Sequence, residues 1–267
     1  MATTKDQQKA AAAAASEGID FSADAGQGRE GVGSSDMALP YLTILQDLSP
    51  QVKKSNEKHI PDAEPGMIFN TLTNEIIDGQ TGVFFIPCAF QKLFVEWKPR
   101  STGGGFVQAH VDASILQKTR KDDRGKDVLE NGNLIVTTAY HLGIIATTMQ
   151  KVIVAMASTQ LKKSRKWNSI MAEIILKDKD GRPMRDAVTG RPLIAPTYSR
   201  VYRLNTVLER KDQHSWYGWN ITLVDAVKDK GTYLESRESH ALFKGSSNLL
   251  TNSRPPDDAE DADKGVL

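Results

Sequence analysis

VFFIPCAFQKLFVEWKP, residues 83–99, is the longest apolar and aromatic run in the chain. Its upstream half is continuously apolar, the pattern of a strand buried on both faces. Its downstream half, Lys92 to Trp97, alternates, the pattern of a strand with one wet face. Asp78-Gly79 ahead of the run marks a turn, and Gly103-Gly104-Gly105 after it breaks regular structure. The body of the protein is therefore expected to be mainly β and built around this strand.

Working outward, GMIFNTLTNEII (66–77) alternates over part of its length, and MALPYLTILQDLSP (37–50) is a short apolar element bracketed by Pro40 and Pro50. Downstream, residues 112–133 are charged and read as a solvated connector. NLIVTTAYHLGIIA (133–146) and KVIVAMAST (151–159) read as two strands. In QLKKSRKWNSIMAEIIL (160–176), Leu161, Trp167, Ile170, Met171, Ile174 and Ile175 recur at three- and four-residue spacings, which is a helical stripe. An exposed excursion with turns at Asp180-Gly181 and Thr189-Gly190 follows. Two more strands, TYSRVYRLNTVLER (197–210) and SWYGWNITLVDAV (215–227), and a short helix, YLESRESHALFK (233–244), close the body.

The order strand, strand, strand, helix, strand, strand is expected of an OB-like five-stranded barrel with a helix between the third and fourth strands. Residues 37–244 form the expected domain. Residues 1–36, rich in Ala, Gly, Ser, Asp and Gln, bury too little surface to offset their ordering entropy and read as a disordered arm. Residues 245–267 read as a disordered acidic tail.

Several functional classes find no support. Cys88 is the single cysteine, so an intramolecular disulfide and a multi-thiolate metal site are excluded, and its apolar neighbours suggest a core residue. No stretch of 18 apolar residues exists and the N-terminal alanine run lacks a bulky apolar core, so neither a membrane helix nor a signal peptide is expected, and a cytoplasmic location fits. The glycine triplet precedes no Gly-Lys-Ser/Thr, the five histidines lack ligand spacing, and Asp178-Lys179-Asp180-Gly181 lacks the later ligands of a calcium loop. No cofactor and no catalytic activity are expected. The enzymatic alternative is a metal-dependent nuclease, with Glu96 and Lys98 as an E-x-K pair and Asp78 completing the metal site.

The net charge of +1 conceals a concentration. Between Lys151 and Lys211 fourteen Lys/Arg face five Asp/Glu, a surface that would draw a polyanion. Aromatic residues interleave with the cations, as single-strand binders need rings for bases and cations for phosphates. The candidate phosphate contacts are Lys98, Arg100, Lys162, Lys163, Arg165, Lys166, Arg200 and Arg203. The candidate stacking rings are Trp97, Trp167, Tyr198, Tyr202 and Trp216, with Trp97 and Trp216 favoured for a wet face. Alternation places Tyr198, Arg200 and Tyr202 on one face. The tail acids Asp257, Asp258, Glu260, Asp261 and Asp263 would compete for that groove or recruit partner proteins.

The stretch VFFIPCAFQKLFVEWKPRSTGGG, the segment STQLKKSRKWNSIM after a strand, and the tail DDAEDAD together resemble tailed-phage single-stranded DNA-binding proteins of the OB-fold type, with gaps, across residues 40–263. The resemblance implies sequence-tolerant binding of single-stranded DNA in phage replication, recombination and repair, with partner proteins met through the acidic tail. Tails of many such proteins end in an aromatic residue; this chain ends Gly265-Val266-Leu267. The rival reading from another class is a phage virion structural protein, which would also suit a β-rich body with flexible termini.

Overall fold

The computed structural model describes residues 38–245, with Asp24, Gln27, Gly28 and residues 30–32. The expectations for the arm (1–36) and the tail (245–267) lie almost wholly outside these. The chain divides at Ala38 into two units. Of the first, the described part is a turn in which Gln27 N donates to Asp24 O. All the strands and helices below belong to the second.

Five long strands carry the body: β4 (Val83–Trp97), β8 (Leu134–Ile145), β9 (Lys151–Ala157), β10 (Arg200–Lys211) and β11 (His214–Ala226). Helix α1 (Leu161–Ala172) lies between β9 and β10, and helix α2 (Lys230–Gly245) follows β11. The predicted order of strands and helix is thus present. Ladders are antiparallel, and the long strands lie in the order β11-β10-β4-β8, with β9 on the other edge of β8. The result is a curled antiparallel sheet, a half-barrel. No ladder joins β9 to β11 directly among the described residues, so the five-stranded barrel expected from the sequence is not closed.

Smaller strands fill in around this frame. β1 (Leu42–Ile44), β2 (Ile68–Asn70) and β3 (Ile76–Ile77) form a separate three-stranded sheet. β1 occupies the gap. Tyr41 bridges Ile153 of β9 in parallel, and the side-chain amide of Gln46 both donates to Tyr217 O (2.8 Å) and accepts from Tyr217 N (2.9 Å). The expected connector at 112–133 instead contains β6 (Thr119–Lys121) and β7 (Asp127–Leu129), a hairpin paired to β8, while β5 (Phe106–His110) pairs the downstream end of β4. The charged turn chemistry there closes a hairpin rather than opening a loop.

β4 explains much of the shape. Its register shifts between Pro87 and Ala89. Proline has no N–H to give to a ladder and is tolerated in a sheet at bulges. Ahead of the shift, residues 83–85 pair β10; beyond it, residues 94–97 pair β5. One strand thus serves two neighbours on the same edge.

Both faces of the sheet are buried. Val83, Phe85, Val154, Met156, Tyr202, Leu204 and Trp219 pack with Trp167 and Met171 of α1 on one face. Ile86, Cys88, Leu93, Val95, Tyr140 and Leu142 pack with Phe243 of α2 on the other. This corrects the expected wet face from Lys92 to Trp97: Lys92 is exposed, but residues 93–97 are all buried, because α2 packs on the side of Leu93, Val95 and Trp97 while Gln108 and His110 of β5 and Asn133 close over Glu96 on the other. Cys88 is buried as expected; loss of hydration pushes its thiol pKa up to about 12, so it is inert.

Candidate nucleic-acid interface

α1 is amphipathic. Ser164, Trp167 and Met171, at three- and four-residue spacing, face the sheet. Ile174 and Ile175, expected on the same stripe, lie beyond the helix end in the excursion. Trp167 plugs the half-barrel. It is 1% exposed and stacks on His141 at 4.3 Å, with Phe85 at 5.8 Å and Tyr202 at 5.3 Å. His141 Nε2 lies 2.8 Å from Ser164 Oγ, and burial lowers the imidazole pKa to about 3, so the ring is neutral.

The opposite side of α1 presents Lys162, Arg165 and Lys166 to solvent. None of the three side chains makes a hydrogen bond or ion pair among the described residues. Lys163 does not join them. Its ammonium donates to Trp219 O at 2.6 Å and pairs with Glu209, reaching over the edge of β11. Gln160 Oε1 accepts from Trp219 N at 2.9 Å beside it. Gly218 makes this possible: a Cβ there would sit within 2.8 Å of Gln160 Nε2, Lys163 Nζ and Glu209 Oε1. The β11 edge is thus sealed at Tyr217–Trp219 by side chains.

A surface next to α1 carries aromatic rings that sequence reasoning missed. Phe90 on β4 is 46% exposed and lies 5.1 Å from His141, the ring that also stacks on Trp167. Lys92, two residues on and therefore on the same face, is exposed and lies 5.7 Å from the Phe94 ring. The polar pair Gln91-Lys92 inside an apolar run was the available signal that water reaches this face. Phe84, 42% exposed, lies on the other face opposite Arg203.

The nominated residues scatter. Trp97 is 1% exposed and makes an edge contact with Phe106 at 5.9 Å, so it is core, as are Trp167 and Tyr202. Large rings in a small domain are drawn inward by their burial energy, which outweighs any stacking role their neighbours suggest. Tyr198, Arg200 and Tyr202 do not share a face. Tyr198 sits in the 3-10 turn Thr197–Ser199, half-buried against Tyr233 and His240 of α2, and a register shift at Val201/Tyr202 breaks the alternation. Arg200 is half-buried and Arg203 donates to Gln80 O and Thr81 O at 2.6 and 2.9 Å. Trp216 is half-buried and donates from Nε1 to Glu209 at 2.9 Å. Lys98 is exposed at the end of β4, and Arg100 opens the 3-10 turn Arg100–Thr102. The acidic tail residues lie outside the described residues.

The nuclease set is not assembled. Glu96 is 4% exposed and accepts hydrogen bonds from Asn133 (2.6 Å), His110 (2.9 Å) and Gln108 (3.1 Å). Burial works to raise its pKa, but these three donors outweigh it and hold the carboxyl below the usual carboxylate range. Asp78 caps a turn by accepting from Thr81 N ahead of β4. Thirteen residues of strand at about 3.3 Å each separate that end from Glu96, far beyond metal-site distances. Among the described residues no three His, Cys, Asp or Glu cluster as metal ligands, and no helix is long and apolar enough to cross a membrane.

A family model matches residues 6–248, and its description is Pam3 phage gp34-like protein. No curated protein and no solved structure matches the chain.

Proposed function

The chain belongs to the Pam3 phage gp34-like protein family, and we propose that this phage protein binds single-stranded DNA without sequence preference and catalyses nothing. The observation that carries the reading is the row Lys162, Arg165 and Lys166, exposed and without side-chain partners among the described residues, on the helix whose Trp167 stacks on His141, the ring that the 46% exposed Phe90 also contacts. Cations neutralise phosphates and displace counterions, and a flat ring offers a base its face.

The strand order supports the same reading. Numbering the long strands one to five along the chain, the sheet runs 5-4-1-2-3 with a helix after the third. That order is compatible with an OB barrel opened between its third and fifth strands, a fold that commonly binds oligonucleotides across its second and third. Here α1 and α2 cover the two faces around those strands, which shifts the open surface to Phe90, Lys92 and the outer side of α1. Roles in phage replication, recombination and repair follow if the ligand is single-stranded DNA.

The test is anisotropy of a labelled oligo-dT across a salt series. Tryptophan quenching is a poorer readout, because Trp97, Trp167 and Trp219 are buried and Trp216 alone is partly open. Binding that prefers single strand to duplex and weakens with salt supports the reading; equal or tighter duplex binding sinks it. A virion component assembled from copies of itself is the competing reading. It draws on the β11 edge beyond Trp219, where Leu223 and Val224 are exposed. Self-assembly without oligo-dT binding would favour it.

A further inference from the structure

The excursion between α1 and β10 is braced more firmly than a solvent loop requires. Leu176 N donates to Leu193 O (2.8 Å), Leu193 N to Met184 O (2.9 Å) and Met184 N to Leu176 O (2.8 Å), so three short segments close a ring of backbone hydrogen bonds. Bridges Ile175–Ile194, Lys177–Pro183 and Arg185–Pro192 reinforce it. Two turns project from this ring. Asp178 Oδ1 accepts from the N–H groups of Asp180 and Arg182, and Asp186 Oδ1 accepts from Val188 N, Thr189 N and Thr189 Oγ1.

Those bonds commit two of the three acids in residues 177–191 to turn backbone, and the N–H and hydroxyl of Thr189 hold the Asp186 carboxyl below its usual range. Five cations, Lys177, Lys179, Arg182, Arg185 and Arg191, remain exposed. At the tip of the second turn Val188 is 93% exposed. A branched apolar side chain held on an ordered turn, almost wholly in water between two arginines, gains nothing from packing in the free protein.

We propose that this prong engages the junction where single strand meets duplex, with Val188 against the terminal base pair and Lys179, Arg182 and Arg191 on the flanking phosphates. The inference rests on the nucleic-acid reading above and adds a substrate class to it. Valine has no π face for base stacking, so an unstacked single strand is a poor match for it. An exposed terminal pair is an apolar surface that a rigid wedge can cover or unstack. The turns hold the wedge in place before binding, which reduces the ordering entropy lost on contact. The cationic surplus around Val188 favours a polyanion over an apolar protein surface.

The experiment uses the full chain with three probes: oligo-dT, a blunt duplex, and a forked duplex with dT arms and 2-aminopurine in the junction pair. Wild type is expected to bind the fork more tightly than oligo-dT of equal arm length and to raise 2-aminopurine emission. Val188→Ser should leave oligo-dT affinity unchanged and lose about tenfold at the fork, the size expected for an apolar side chain of this size losing its burial. Val188→Leu should keep the preference. The exposure of Val188 leaves the fold untouched in either variant. Retention of the fork preference by Val188→Ser overturns the proposal, as does a wild type that binds oligo-dT but favours the fork by nothing; in both cases the single-strand reading stands. Failure of wild type to bind oligo-dT removes the parent reading itself.

Discussion

α1 and α2 lie against opposite faces of the same sheet, and they differ in how their ends are capped and in where their cations gather. α2 begins behind Asp229, whose carboxylate accepts from Thr232 N at 2.6 Å, and ends with Lys244 in its last turn. Both placements complement the helix dipole. Its surface charges are mixed, and Glu235 pairs with Lys151 at 2.7 Å. α1 begins behind Gln160, which makes no side-chain cap, and carries Lys162, Lys163, Arg165 and Lys166 toward its N-terminus and no cation in its last turn. A cation exposed in the first turn, as Lys162 is, is disfavoured there by about 0.3–1 kcal/mol, and the effect fades toward Arg165 and Lys166. Packing of Trp167 and Met171 holds α1 in place despite its charges, whereas α2 is favoured by its own sequence as well as by Phe243. Under the proposed function, the helix that breaks local rules is the one where stability is given up for binding.

The comparison breaks most sharply at the tryptophan. If α1 is held by packing alone, Trp167→Ala should destabilise the domain by about 3–5 kcal/mol, as expected for a buried ring. Denaturant titration would show this; a loss under about 1 kcal/mol would mean that α1 docks by other means. The ring beneath it gives a pH signature. His141 titrates near 3 when folded against 6.5 when not, so the unfolded chain binds the proton more readily between those values. Stability from this group is fully present above about 6.5 and declines by a few kcal/mol as pH falls toward 4. His141→Gln, which can still hydrogen-bond Ser164 Oγ, should flatten the decline. Curves of equal slope for the two proteins would refute the assignment.

Binding separates the helices next. Lys162→Ala, Arg165→Ala and Lys166→Ala together should reduce the log–log salt slope by about 2, at about 0.7 per phosphate contact. The matching α2 set, Lys230, Arg237 and Lys244 to Ala, should leave the slope unchanged. Equal losses from both sets would show diffuse attraction rather than a defined face. Phe90→Ala should weaken oligo-dT binding by about 1–3 kcal/mol if the ring stacks a base. The smallest effect compares the caps. Asp229→Ala should lower stability by about 1 kcal/mol, while Lys162→Ala alone should raise it by a few tenths. A Lys162→Ala variant less stable than wild type would show that α1 is not electrostatically frustrated.

The five long strands were legible because aromatic and β-branched runs between turn residues have few other stable arrangements, and α1 because its stripe sets Leu161, Trp167, Ile170 and Met171 on one face. The basic row was legible for the same reason, since a helix displays on its outside whatever its stripe leaves over. The rings were not. Trp97 and Phe90 sit in one strand, each next to a polar residue, and nothing local says that β5 and α2 close over the first while water reaches the second. Lys163 reads as one of four equivalent cations until Gly218 brings the β11 edge within its reach. Sequence alone determined the order of the long strands and the two helices, the mainly β class and the helix that carries the charge, because those depend on periodicity and turn chemistry within a short window. Only the tertiary structure decided which aromatic residues remain open and where the barrel stays unclosed, because burial is a property of what the far ends of the chain bring against a face.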